Sequence, residues 1–326
     1  MKYAVIGAGA IGGGIAARLF MAGEDVWLID TAADHIGKIM SDGLTIELDY
    51  GVRQETKNLK IKAAADAAGI GKVDVVIVAV KGTVTRMTIP TIRELAGTDT
   101  LILTDQNGLG NDGILQEFFP KEQIGYSVVS YGGHRSGTGA VFSQASVGNL
   151  HLAVTAYDEK QREKLVEMSR SLEKVDFKMI CCSKAELDKL LWAKLTTNCV
   201  LNGTCAVCQC TADGFFSCQA GIDLTKKIVE ENCSVARGLG IDLKPEDVPM
   251  ISYTVQQKAE EGYRHFPSMV PDVGERRKTE VDFINGAVVR EGQKLGIPTP
   301  YNEAISLLIK VIESNYDYRY GDVTNI

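Results

Sequence analysis

Residues 2–14 read Lys2-Tyr3-Ala4-Val5-Ile6-Gly7-Ala8-Gly9-Ala10-Ile11-Gly12-Gly13-Gly14, and this stretch decides the fold. An apolar strand, Tyr3 to Ile6, runs straight into Gly7-x-Gly9-x-x-Gly12. A helix-period segment follows from Ile11 to Met21 and stops at Gly23. A second strand, Asp25-Val26-Trp27-Leu28-Ile29, ends on Asp30. Strand, glycine turn, helix, strand and acid, in that order, form a dinucleotide-binding unit. Gly7 permits the tight turn, Gly9 lets backbone approach a pyrophosphate, and Gly12 lets the helix pack close to the strand. The helix N-terminus offers free N–H groups and a positive dipole end. Gly7, Gly9, Ala10, Ile11 and Gly12 are the expected phosphate cradle.

Asp30 bears on which dinucleotide fits. A carboxylate at the end of the second strand accepts hydrogen bonds from ribose hydroxyls and repels a 2′-phosphate. No Arg follows it; the chain continues Thr31-Ala32-Ala33-Asp34. NADH is therefore preferred, with NADPH as the alternative. The competing structural role for Asp30 is as cap of the next helix, a job Thr31 could also do.

Working outward, 326 residues favour two domains over one. The net charge is −7 with both signs interspersed, and no basic block argues for nucleic acid. No apolar run reaches the length of a membrane span. A first strand beginning at residue 2 leaves no room for a leader, so a cytoplasmic location with reduced thiols is expected.

The first half alternates strands and helices. Val73 to Val80 reads as a buried parallel strand, Thr100 to Thr104 as another, and Ile124 to Tyr131 as a third. Thr83 to Leu95 suits a crossover helix, flawed by Pro90. Residues 138–155 alternate with Gly punctuation, as antiparallel edge strands do. The character changes near residue 183. Ser183-Lys184-Ala185-Glu186 is a capping box opening a helix with Leu187, Leu190, Leu191 and Leu195 on an apolar face. Helical periods then dominate to about Ile312. Asp272 to Leu295 reads as one long helix ended by Gly296, and Thr299-Pro300 restarts a helix. The expected architecture is an α/β Rossmann-type domain with a mostly parallel, doubly wound sheet over residues 1–183, then an all-α domain over residues 184–326. The cleft between them is the expected active site.

On the helix after Ser183, Lys194, Asn198 and Asn202 recur at i, i+4 and i+8 and share one face. Spacing alone fits a solvated polar face equally well. Leu191, Trp192, Leu195, Val200 and Leu201 surround the stripe, however, and buried lysines are costly unless paired or facing a cleft.

A later segment joins this stripe. Phe266-Pro267-Ser268-Met269-Val270-Pro271-Asp272 leads into Arg277-Lys278-Thr279-Glu280-Val281-Asp282-Phe283-Ile284-Asn285-Gly286. With the glycine-rich start, the Asn107-Gly108 turn and the Lys-x-x-x-Asn-x-x-x-Asn helix, the order resembles the ketopantoate reductase (2-dehydropantoate 2-reductase) family over nearly the whole chain. The resemblance implies reduction of a 2-oxo acid by hydride transfer from a nicotinamide. It makes Lys194 the catalytic lysine and Glu280 the glutamate that bonds the substrate and orients it. Asn107, Asn198, Asn202 and Ser268 become substrate contacts. Lys81 and Asn107 lie on the cofactor side. A Lys ammonium suits a carbonyl oxygen that gains charge and then a proton. Asn amides both donate and accept, as a substrate with carboxylate, carbonyl and hydroxyl groups requires.

Two departures stand out. Many members of the family use NADPH and carry a basic residue where this chain has Asp30. Leu28 to His35 instead resembles an NADH-using branch whose members make D-2-hydroxy acids such as mandelate. Pro267 and Pro271 flank Ser268-Met269 where polar residues are expected. A D-2-hydroxyacid dehydrogenase on the same scaffold is thus the close rival, and a non-catalytic NADH sensor the distant one. Cys205-x-x-Cys208-x-Cys210, with Cys199 and Cys218 nearby, reads chiefly as packing, and no metal site is expected. His134 and His265 read as ordinary surface or capping histidines, and Tyr316 to Tyr320 as a docking segment or loose terminus. The partner is a small-molecule substrate; a homodimer is compatible with the long helix.

Overall fold

The run Lys2–Ile6 forms β1, and Gly7 turns the chain directly into α1 (Ala10–Met21). The structure is a computed structural model describing residues 1–249 and 266–318; His265 and Arg319-Tyr320 lie outside the described residues. The chain divides into two compact units. One comprises residues 1–106 and 111–187; the other joins residues 107–110 to residue 188 and beyond. The loop 107–110 belongs by sequence to the first half and by packing to the second, which no linear boundary expresses.

In the first unit, β1 lies inside an eight-stranded sheet. On one side follow β2 (Asp25–Ile29) and β5 (Lys62–Ala64). On the other follow β6 (Val73–Val78), β7 (Ala96–Thr104), β8 (Ile124–Val129), β11 (Leu152–Ala156) and β12 (Met179–Cys181). Every pairing is parallel except β8 with β11. Strand order reverses between β1 and β6, so the carboxyl ends there form the crevice where doubly wound sheets bind ligands. Side chains alternate across the sheet as the strand period demands. Tyr3, Val5, Val75, Ile77, Leu101 and Leu103 join one core layer. Ala4, Ile6, Val76, Val78 and Ile102 join the other, with Ile89, Ile92 and Leu95 of α3 (Ile89–Leu95). The crossover expected over residues 83–95 is a 3₁₀ turn, Gly82–Thr88, followed by α3 with Pro90 in its first turn, where its missing N–H costs nothing.

Residues 138–155 do not form a single edge of the main sheet. β10 (Ala140–Gln144) pairs with β9 (Gly132–Gly137) and, in parallel, with β3 (Leu44–Asp49), which pairs with β4 (Gln54–Leu59). This four-stranded second sheet covers α1. A Cβ on Gly13 would touch Val141 at 3.0 Å, and one on Gly14 would touch Ser143 at 2.9 Å. Arg18 is buried in this seam; it donates to the Gly14 carbonyl and to Ser143 Oγ (3.1 and 2.9 Å) and lies over the Phe177 ring. The pairing was not legible because β3 and β10 are far apart in the chain.

At the end of the first unit, Ser183 and Glu186 make the expected reciprocal cap of α6 (Lys184–Cys208), which continues into the second: Ser183 N–H donates to Glu186 Oε2 (2.9 Å) and Glu186 N–H to Ser183 Oγ (3.3 Å). Leu187 and Leu195 are buried, whereas Leu190 is exposed. The long helix expected from Asp272 to Leu295 is instead two helices. α9 (Met269–Gly274) ends before Arg276, whose φ of 56° breaks the helical path; a 3₁₀ turn over Val281–Phe283 then leads into α10 (Asn285–Leu295). Gly296 caps α10 in the left-handed conformation, as expected. Thr299 precedes α11 (Pro300–Ser314) but its side chain makes no cap; Glu231 does that work from α8 (Gln219–Gly238), accepting from the Tyr301 and Asn302 N–H groups at 2.8 and 3.0 Å. Asn302 Nδ2 bonds Glu231 and Asn232, Asn285 Nδ2 bonds Asn302 Oδ1 and the Cys199 carbonyl, and Asn232 reaches Thr196 Oγ1. This buried polar seam fixes α8, α10 and α11 on α6. No helix among the described residues is long and apolar enough to cross a membrane.

Candidate functional site

The glycine turn is built to the tolerance its three glycines imply. Gly7 has φ 108°, and a Cβ there would lie 2.8 Å from the Ala79 carbonyl oxygen at the end of β6. A Cβ on Gly12 would overlap the Gly7 carbonyl oxygen at 1.8 Å. Around Gly9 nothing lies within 4 Å of an added Cβ, so this face is open. Gly9 is the N-cap of α1 with no side chain capping it and no acid in the first turn, so no side-chain cap occupies the first-turn N–H groups. An uncapped N-terminus beside open space at the sheet's switch point fits a dinucleotide pyrophosphate. Lys81 follows β6 at the same crevice, as N-cap of the 3₁₀ turn.

Asp30 is held from two sides. Its Oδ2 accepts from Ala8 N–H and its Oδ1 from Ala32 N–H, both at 2.7 Å. These bonds form a local turn ahead of α2, whose first turn has no side-chain cap, and each carboxylate oxygen keeps a further lone pair.

In the second unit, Lys194 Nζ donates to Asn107 Oδ1 at 2.8 Å. Lys194, Asn107 and Asn198 are half-buried, and Asn202, two turns along α6 from Lys194, is buried. The polar seam uses Thr196 and Cys199, roughly 130° round the same helix. α6 thus separates a structural face from the Lys-Asn-Asn face. Loop 107–110 is docked through Leu109 N–H to the Phe283 carbonyl (2.8 Å), and Gly108, at φ 88°, lies so close to Phe283 that a Cβ would meet its carbonyl oxygen at 2.4 Å. Glu280 is buried and starts the same turn, its carbonyl accepting from Phe283 N–H (2.9 Å). Lys194, Asn107 and the Glu280–Phe283 turn are thereby brought together. Ser268 is not joined to them by a hydrogen bond; it is exposed at the start of α9, with Pro267 and Met269 buried on either side.

Other residues of the motif are structural. Thr279 donates to Glu313, Arg277 pairs with the buried Asp272 (2.9 Å), and Asp282 pairs with Lys310 (2.7 Å). Two features went unseen in the sequence. Gln106 Nε2 donates to Thr85 Oγ1 (2.8 Å) and the Val80 carbonyl, and Thr85 Oγ1 bonds Asn111 Oδ1 (3.4 Å), so one buried hydroxyl ties both ends of the 107–110 loop. His35, in α2 (Ala33–Asp42), is fully buried against Ala8. Polar residues flanking Asn107 were the one available signal for the first.

Models of the ketopantoate reductase PanE/ApbA family match residues 3–157, and of its C-terminal domain residues 186–313. The chain belongs to the ketopantoate reductase family. With that goes the class of oxidoreductases acting on CH–OH groups. A 2-dehydropantoate 2-reductase of Streptococcus pyogenes is 29% identical over 96% of this chain and 98% of its own length. Among solved structures, a PanE/ApbA-family ketopantoate reductase from Ralstonia eutropha is 26% identical, covering 98% of this chain and 100% of that one, with a TM-score of 0.83. A D-mandelate dehydrogenase in complex with NADH is 25% identical, covering 96% and 99%, also with a TM-score of 0.83.

Cys199, Cys205 and Cys233 serve the helical core of this ketopantoate reductase-family chain. Burial pushes the Cys199 and Cys205 thiols up to about 12 and the Cys233 thiol up to about 11, away from reactive thiolate chemistry. Cys208 and Cys218 are exposed. No cluster of three or more His, Cys, Asp or Glu able to hold a metal occurs among the described residues.

Proposed function

We propose that the chain reduces 2-dehydropantoate to pantoate, with NADH preferred over NADPH. The observation that carries the reading is the Lys194–Asn107 hydrogen bond, which gives a half-buried ammonium a fixed partner and direction. The reduced nicotinamide supplies the hydride. Lys194 donates a hydrogen bond to the keto oxygen and passes it a proton as the oxygen becomes a hydroxyl. Asn107 accepts from one of the three ammonium hydrogens. Glu280 bonds the substrate and keeps the lysine oriented. Asn198, Asn202 and Ser268 take the remaining substrate oxygens, Ser268 at the carboxylate. Gly7, Gly9, Ala10, Ile11 and Gly12 cradle the pyrophosphate, Asp30 takes the ribose, and Lys81 lies on the cofactor side.

Asp30, with the likeness to an NADH-bound D-mandelate dehydrogenase, supports a second reading: a D-2-hydroxyacid dehydrogenase for branched or aromatic 2-oxo acids. The test is kcat/KM for 2-dehydropantoate, 2-oxoisovalerate, 2-oxoisocaproate and benzoylformate, each with NADH and NADPH. A site that bonds the terminal hydroxyl of 2-dehydropantoate rejects analogues lacking it by up to ~10⁴. Equal or better rates on the analogues favour the second reading, and no turnover on any of them refutes both.

A further inference from the structure

We propose that His35 is a positioning residue for the cofactor turn, holding the Ala8 peptide so that the first-turn N–H groups of α1 meet the pyrophosphate in one fixed orientation. The inference rests on the dinucleotide reading of that turn. Ala8 is the residue between Gly7 and Gly9, and both halves of its backbone are gripped. Its N–H donates to Asp30 Oδ2 (2.7 Å), and its carbonyl oxygen lies 2.8 Å from His35 Nε2. The other ring nitrogen, Nδ1, accepts from Gly139 N–H at 2.9 Å. With a donor already facing Nδ1, the ring proton sits on Nε2 and is given to Ala8.

Gly139 closes the β9–β10 turn of the second sheet, and its carbonyl in turn accepts from Thr45 N–H (3.0 Å). Its φ is 71°, and a Cβ there would lie 2.6 Å from Lys38 Cγ on α2. Only glycine brings this turn so close to α2. The second sheet thus reaches the cofactor turn through one imidazole, by the path Thr45, Gly139, His35, Ala8. Gly9 has no side chain, so the Ala8 peptide plane is the adjustable joint that aims the α1 N-terminus.

Two near-isosteric variants divide the clamp. His35→Gln retains a donor near the Nε2 position, and His35→Asn retains an acceptor near Nδ1 but loses the donor to Ala8. The readouts are Kd for NADH by fluorescence quenching, and KM for NADH beside kcat. His35→Asn is expected to weaken NADH about ten-fold, with KM moving far more than kcat, and His35→Gln to restore most of the affinity. Equal weakening in both variants overturns the proposal, as does an unchanged Kd alongside a lowered Tm. The ¹⁵N spectrum of the wild-type histidines is a test that needs no variant. The His35 Nε2–H signal should shift on NADH addition more than that of His151, which bonds backbone elsewhere; an unmoved His35 signal overturns the clamp. A wild-type chain that binds neither NADH nor NADPH refutes the dinucleotide reading itself, a different result from cofactor binding that ignores His35.

Discussion

Lys194 Nζ and Asn107 Oδ1 stand 2.8 Å apart, although 87 positions separate the two residues in the chain. An amide oxygen is a neutral acceptor. This hydrogen bond aims the ammonium without itself adding a negative charge beside it. Lys194→Ala should lower kcat by about 10²–10⁴ with little change in Kd for NADH. Steady-state kinetics beside NADH fluorescence titration decide this, and an unchanged kcat removes Lys194 from the catalytic role.

The oxygens of Asp30 hold Ala8 and Ala32, and its proposed role in cofactor choice rests on its charge. Asp30→Asn preserves an acceptor oxygen and removes the negative charge. The ratio of kcat/KM for NADPH to that for NADH should rise on the order of ten-fold or more, because a like-charge juxtaposition is removed. A ratio that stays constant assigns Asp30 to holding the turn alone.

Thr85 ties Gln106 to Asn111 across the ends of the loop that carries Asn107. Thr85→Val keeps the shape and deletes the hydroxyl. Roughly 1–3 kcal/mol of buried hydrogen bonding is lost. The expected result is a drop in kcat larger than the rise in KM for NADH, with Thr85→Ser near wild type. Wild-type kcat in the valine variant means the loop is held without the staple.

Asn302 is the centre of the seam in the helical unit. Asn302→Ala removes the side-chain amide that bonds Glu231, Asn232 and Asn285 and empties a fully buried site. A loss of about 2–5 kcal/mol is expected, read from chemical denaturation of the holoprotein. A loss below about 0.5 kcal/mol would show the seam to be passive.

His151 sets an acid limit on stability. Burial lowers its pKa below the usual 6.5; its Nδ1 accepts from Lys178 N–H at 2.9 Å and its Nε2 faces the Ser146 carbonyl at 2.8 Å. The folded state therefore favours the neutral ring. Its contribution is fully present above the unfolded value of about 6.5 and is lost as pH falls below that toward the depressed folded value. Denaturation midpoints between pH 7.5 and 5, compared with those of His151→Asn, should show a steeper acid decline in the wild type. Parallel profiles would refute the assignment.

Much of this protein is local, and most of what is local was legible. The glycine turn, Asp30, the Ser183–Glu186 box and the Gly296 cap each depend on residues within a few positions of one another, because turn and cap geometry are set by neighbouring backbone. The Lys194-Asn198-Asn202 stripe was visible for the same reason: helical period alone puts those residues on one face. The long helix expected from Asp272 failed locally, where Arg276 takes a left-handed φ that no residue-type preference announces.

By itself, then, the sequence determined the nucleotide-binding unit, the helical second half and the residue types available for chemistry. Tertiary structure alone decided which distant groups meet. It paired β3 with β10 to cover α1, brought Asn107 to Lys194, stapled the loop through Thr85, and placed His35 between Ala8 and Gly139. Those contacts depend on burial and loop closure, where a buried polar atom must find whichever partner the packed chain brings within reach. No spacing in the sequence encodes that choice.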